Sequence, residues 1–128
     1  MPEDCQVHIY HSKKDRVWVK QWISGMIEAN KFYVTTNKQP SRSSSRMILI
    51  LTPELFKEPF SSKILGAIQG KTVLGIKLRD CEVLEEIEKQ FTSYMDLTTT
   101  DLSDLTFHVP FMFRVQKSLK LPLSICSA

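Results

Sequence analysis

Glycine is scarce, with four residues in a chain of 128. Nucleotide cradles built from backbone amides need several glycines in one short loop, so phosphate binding of the GxGxxG or Walker type is not expected. Neither pattern occurs, and GxSxG and HExxH are also missing. Cysteine is scarce too, and odd in number. Cys5, Cys81 and Cys126 stand far apart, with no CxxC pair and no histidine cluster beside them. That spacing argues against a disulfide framework or a zinc site and for free thiols in a reducing compartment. No apolar run approaches the roughly 20 residues of a membrane span, and the start has no signal-peptide pattern. Strong charge of one sign is lacking as well. A net charge of +3 falls short of the basic face that nucleic-acid binding takes. The expectation is a cytoplasmic chain with no nucleic acid, no metal and no cofactor.

What is present suits one domain. A hydrophobic content of 42% supports a core without covalent staples. An ordered core is expected over 6–122, with a tail over 123–128. The centre of the pattern is Met47-Ile48-Leu49-Ile50-Leu51, too short for a typical helix and suited to a strand buried on both faces. Thr52 follows as a helix N-cap, Pro53 fits the first helical position, and Glu54 favours the positive helix end. A buried strand running straight into a helix is the repeating unit of an α/β domain with a parallel sheet.

The other segments fall around this unit. Gln6 to Tyr10 alternates as a first strand. A helix is expected over 15–30, with Trp18, Val19, Trp22, Ile23, Met26 and Ile27 as its apolar stripe. Strands are expected over 32–36, 72–78 and, at an edge, 93–98. Helices are expected over 53–69 with a break near Pro59, over 80–90 as an acidic surface helix, and over 107–119. Gly70 is placed to terminate the first of these. The stretch 37–46 is wholly polar and leaves little room for the helix that normally joins parallel strands. The fold class is therefore a flavodoxin-like, doubly wound five-stranded parallel sheet. Its expected order is 2-1-3-4-5, with helices on both faces and the second helix reduced or absent.

Catalytic chemistry is hard to find. The turn His11-Ser12-Lys13-Lys14 lacks glycine and lacks the acidic pair that would hold magnesium. His8, His11 and His108 are scattered, with His8 expected on the solvent face or capped by a neighbour and His11 at the surface.

Val7-His8-Ile9-Tyr10-His11-Ser12-Lys13-Lys14-Asp15-Arg16-Val17-Trp18-Val19 resembles the first box of Toll/interleukin-1 receptor (TIR) domains. That box is an apolar strand followed by Ser-x-x-Asp-x-x-Trp-Val, and Ser12, Asp15, Trp18 and Val19 match it. Gln6 and His8 depart, where the family has Asp and Phe. Met47 to Phe56 is similar to the family's third strand with its Thr-Pro continuation. Phe111-Met112 with Arg114, Leu119 and Pro122 resembles the third box, with Met in place of Trp. The second box departs most. Pro40 stands at the family's proline, but the Arg-Asp pair and the glycine are absent.

The resemblance implies an intracellular adaptor or scaffold for innate-immune-type signalling. It would act by association with other TIR domains, its own copies or those of receptors and adaptors, and be recruited to membranes by its partners. TIR domains that cleave NAD carry a glutamate in the helix after the third strand, where this chain has Ile64, so no enzyme is expected. Isoleucine can neither act as a base nor stabilise a cationic sugar. The alternatives are a NAD-cleaving domain with a relocated glutamate, Glu54 or Glu58, or the TIR-like domain of a phosphoinositide-kinase adaptor or an interleukin-17 receptor type protein. The expected interaction residues are Asn37, Lys38, Gln39, Pro40, Ser41, Arg42 and Arg46 of the polar loop and Lys13, Lys14 and Arg16 at the helix start. Arg42 and Arg46 around Ser43-Ser44-Ser45 are also candidates for acidic phospholipid heads or for serine phosphorylation. Glu82, Glu85, Glu86 and Glu88 supply an opposite patch suited to head-to-tail assembly.

Overall fold

The computed structural model describes residues 6–29, 33–36, 46–101 and 108–119. Five strands form one parallel sheet in the order β2-β1-β3-β4-β5: β1 (Gln6–Tyr10), β2 (Tyr33–Thr36), β3 (Arg46–Leu51), β4 (Thr72–Lys77) and β5 (Ser93–Asp96). Every pair is parallel, and the expected flavodoxin-like order holds. β3 lies at the centre, registered against β1 through Ile48↔Ile9 and against β4 through Ile48↔Leu74.

Alternation along the strands divides the core into two layers. Ile9, Ile48, Ile50, Leu74 and Ile76 point to one face, where they meet Val19, Ile23, Ile27, Phe111 and Val115 from helices. Met47, Leu49, Leu51 and Val73 point to the other, against Leu55, Ile64, Ile68 and Ile87. Met47 to Leu51 has no exposed surface, and each such side chain contributes about 1.5–3 kcal/mol by leaving water.

The first face is covered by a continuous helical run and by the last helix. The run comprises a 3₁₀ turn (Lys13–Asp15), α1 (Arg16–Val19), a π-helical turn (Lys20–Ser24) and α2 (Gly25–Ala29). A regular helix over 15–30 was the expectation. The π turn, in which the Gly25 N–H donates to the Lys20 carbonyl, interrupts it. The stripe survives the interruption: Val19, Ile23 and Ile27 are buried and Trp18 is half-buried. Trp18 meets Phe111 of the last helix at 6.1 Å between ring centres.

The second face departs further from expectation. The helix expected over 53–69 is three short pieces: 3₁₀ turns at Leu55–Lys57 and Pro59–Lys63, then α3 (Ile64–Ile68). Glu58 between them is extended, as a residue preceding proline prefers, so the break falls where Pro59 forces it. Thr52 Oγ1 accepts the Leu55 N–H at 3.1 Å, but the helical turn starts at Leu55, so Glu54 and not Thr52 stands at its N-cap and Pro53 lies before it. Gly70 takes a φ of 75° and turns the chain into β4. The acidic helix expected over 80–90 shrinks to α4 (Glu85–Glu88), anchored by Ile87 alone. The last helix, α5, spans His108–Ser118. The loop residues Asn37 to Arg42, the serines that follow, and the tail 123–128 lie outside the described residues.

Candidate functional site

In a sheet of this order, ligands enter at the carboxyl ends of the strands, where the order reverses between β1 and β3. Two carboxylates stand at that crevice, Asp15 after β1 and Glu54 after β3. Both are bound to a cation from the next strand. Arg79, just past β4, donates from Nη1 to Asp15 Oδ1 at 2.9 Å and from Nη2 to Asp15 Oδ2 at 2.8 Å. Its Nε donates to Glu54 Oε1 at 2.9 Å, and Nη2 stands 2.7 Å from the same oxygen. Ser12 adds a fourth member, its Oγ donating to Asp15 Oδ2 at 2.7 Å. Hydrogen bonding to Asp15 raises the Arg79 pKa above its ordinary value against the opposing effect of burial. The fork matches a carboxylate bidentately, and lysine could not replace it.

Glu58, close in sequence to Glu54, is also engaged. Glu58 Oε1 accepts the Lys13 backbone N–H at 3.1 Å, and the Lys14 ammonium lies 3.8 Å from Glu54. Ile64 is wholly buried in the second core layer. The ion-pair network joins residues 64 positions apart, and sequence reasoning missed Arg79. No local signal marks Arg79, since Lys77 stands two positions before it and its partners lie on other segments.

Of the two placements expected for His8, the second holds: it is fully buried and capped by a neighbour, its Nδ1 2.5 Å from Thr35 Oγ1 of the adjacent strand, while the surface placement expected for His11 needs correction. The His8 ring stands edge-on to Tyr10 at 4.7 Å. His11 is also buried, and its Nδ1–H donates to the Ser12 carbonyl at 2.8 Å. Alternation in a strand covered on both faces leaves no solvent side for His8 to occupy.

Lys13, Lys14 and Arg16 are exposed together at the start of the helical run. Arg46 is not with them. It opens β3 at the opposite end of the sheet, level with Val7, and its Nε donates to the Leu119 carbonyl at 2.9 Å. Its role in the described structure is to tie the central strand to the end of the last helix.

Among the described residues, hollows lie beside both edges of the sheet. One of about 460 Å³ lies between the helical run and β2, lined by His11, Lys13, Arg16 and Lys20 with Val34 and Thr36 opposite. Another, about 360 Å³, lies by the β5 edge between Lys77, Cys81, Glu88, Phe91 and Tyr94. Lys77 pairs there with Asp80 at 3.4 Å, and burial pushes the Cys81 thiol pKa up. A thiol in that state is a poor nucleophile. Among the described residues, no group of three His, Cys, Asp or Glu side chains could hold a metal ion, and no helix is long and apolar enough to cross a membrane.

No family model matches the chain, no curated protein matches it, and no solved structure matches it.

Proposed function

We propose that the domain is a TIR-type signalling module that works by head-to-tail association, as an adaptor or scaffold in the cytoplasm. The observation that carries this reading is the placement of its opposite charges. Lys13, Lys14, Arg16 and Lys20 lie on the helical run that covers the first face of the sheet, towards the β2 edge. Glu85, Glu86 and Glu88 lie on α4, which covers the second face towards the β5 edge. Complementary patches on opposite faces cannot meet through a two-fold axis, but they can meet between successive copies or between this domain and a partner of the same architecture. Leu84, exposed beside the acidic patch, gives such a contact an apolar centre.

The strand ends favour the same reading over catalysis. Asp15 and Glu54 are both bound by Arg79, so their oxygens are occupied by its guanidinium and are not turned toward a substrate. The test is light scattering against concentration. Wild-type chain self-associates. Lys14→Glu alone and Glu86→Lys alone remain monomeric, and mixing the two variants restores a complex through the two intact patches. A chain that stays monomeric throughout, or whose association ignores both reversals, overturns the proposal. So does release of nicotinamide from NAD that Glu54→Ala or Glu58→Ala abolishes.

A further inference from the structure

The hollow beside β2 lies within the basic patch that would associate, since Lys13, Arg16 and Lys20 belong to both. It is concave, and at about 460 Å³ it lies within the range of small-molecule sites. Lys13, Arg16 and Lys20 recur at helical spacing and line it from one side. Over this run they span about 10 Å along the axis. None of the three makes an ion pair among the described residues, whereas Lys14, Lys77, Arg79 and Lys89 all do. Glu28 is the one carboxylate of the lining, and those at the strand ends are committed elsewhere, Asp15 and Glu54 to Arg79 and Glu58 to a backbone amide. Three unpaired cations facing one cavity therefore concentrate positive potential there.

The rest of the lining narrows the ligand. Ser24 and Thr36 supply hydroxyls, and Glu28 places a single carboxylate further along the helix. The π turn at Lys20–Ser24 contributes a residue of the lining at each end, and such turns often mark sites where a helix has been reshaped for a ligand. A lone carboxylate would meet one cation and leave the others unused. A ligand with several phosphate groups would meet all three, and hydroxyls on the same ligand would donate to Glu28.

We propose that this hollow binds a multiply phosphorylated polyol, free or as a lipid headgroup, with its phosphates on Lys13, Arg16 and Lys20 and a hydroxyl on Glu28. Lys13, Arg16 and Lys20 also belong to the basic patch of the association proposed above, but Lys14 and α4 do not line the hollow, so Lys14→Ala and Glu86→Lys test association while leaving the lining intact.

The experiment is titration calorimetry of the full chain at low salt with inositol trisphosphate and with tripolyphosphate, and co-sedimentation with phosphatidylcholine vesicles with and without a phosphatidylinositol bisphosphate. Arg16→Ala and Lys20→Ala each weaken inositol trisphosphate binding about tenfold, the worth of one charge-assisted contact. Both side chains are exposed and unpaired, so the melting temperature should not move. Lys14→Ala leaves the affinity within about twofold, as expected for a screened neighbour. Glu28→Ala weakens inositol trisphosphate but strengthens tripolyphosphate, which has only charge to offer. Binding in solution without sedimentation assigns the site to a free ligand, and sedimentation that needs the bisphosphate lipid assigns it to a headgroup. Absence of binding to every probe overturns the proposal, as does affinity indifferent to Arg16 and Lys20. Equal binding of a polyglutamate peptide through the same two residues overturns it in favour of a protein partner. Improvement of both ligands by Glu28→Ala overturns the polyol assignment.

Discussion

Asp15 shows how much one buried charge demands. Its side chain is 5% exposed, so ionising it there requires hydrogen bonds in place of water. Ser12 supplies one and Arg79 supplies two. Arg79 itself is 36% exposed, so solvent screens its side of the pair. Replacing Arg79 with Met leaves Ser12 as the remaining side-chain donor to Asp15, and a cost of about 1–3 kcal/mol is expected. Urea unfolding of Arg79→Met, Asp15→Asn and the double variant measures it. The two substitutions should be coupled, with the double variant less destabilised than the sum of the singles. Strict additivity would mean that the geometry contributes nothing to stability. The spacing of Ser12 and Asp15 was legible in the sequence because their contact is local. Arg79 was not, because nothing in Leu78-Arg79-Asp80-Cys81 signals a partner that lies beyond two strands.

Strands were easier to read than helices, and the reason lies in what sets each boundary. Met47 to Leu51 and Thr72 to Lys77 are apolar runs with nothing else to become, and the sheet confirms them to within a residue or two. The stretch 53–69 has helical composition, but the Glu58-Pro59 junction favours an extended residue, and the chain spends it as two 3₁₀ turns and one turn of α-helix. Gly75 is a subtler element-scale feature. It sits inside β4, where glycine lowers strand stability, and its conformation does not require glycine. The requirement is space. A Cβ built there would lie 2.8 Å from Phe91 Cε2 and 2.9 Å from Phe91 Cζ. Phe91 stacks on Tyr94 of the next strand at 6.1 Å with planes 9° apart, so the ring is held over the glycine. Gly75→Ala should destabilise by about 1–3 kcal/mol through overpacking. Phe91→Leu removes the ring edge and should recover part of the loss, so that Gly75→Ala costs less in that background. Thermal melts of the four proteins decide it. Equal cost in both backgrounds would locate the strain elsewhere in the strand.

At the scale of the molecule, the sheet is graded from centre to edge. β3 is paired on both sides and walled by helical segments above and below, so opening its amides requires parting both core layers. β5 pairs only with β4, and half of its side chains face solvent. α4 beside it is a single turn held by one buried isoleucine. Local opening needs few contacts broken, so protection against hydrogen exchange should fall from β3 outward. Amides of Met47 to Leu51 are expected to exchange only through global unfolding, with a denaturant dependence equal to that of the whole domain. Those of Ser93 to Asp96 and Glu85 to Glu88 should exchange through smaller openings, nearly independent of denaturant. Native-state exchange read by mass spectrometry or NMR distinguishes the two regimes. Equal protection in β5 and β3 would mean that the domain opens as one unit and that the edge is no weaker than the centre. The gradient also places the charged surfaces. The acidic turn sits where opening is cheapest, so association through it should slow exchange in α4 and β5 while leaving β3 unchanged.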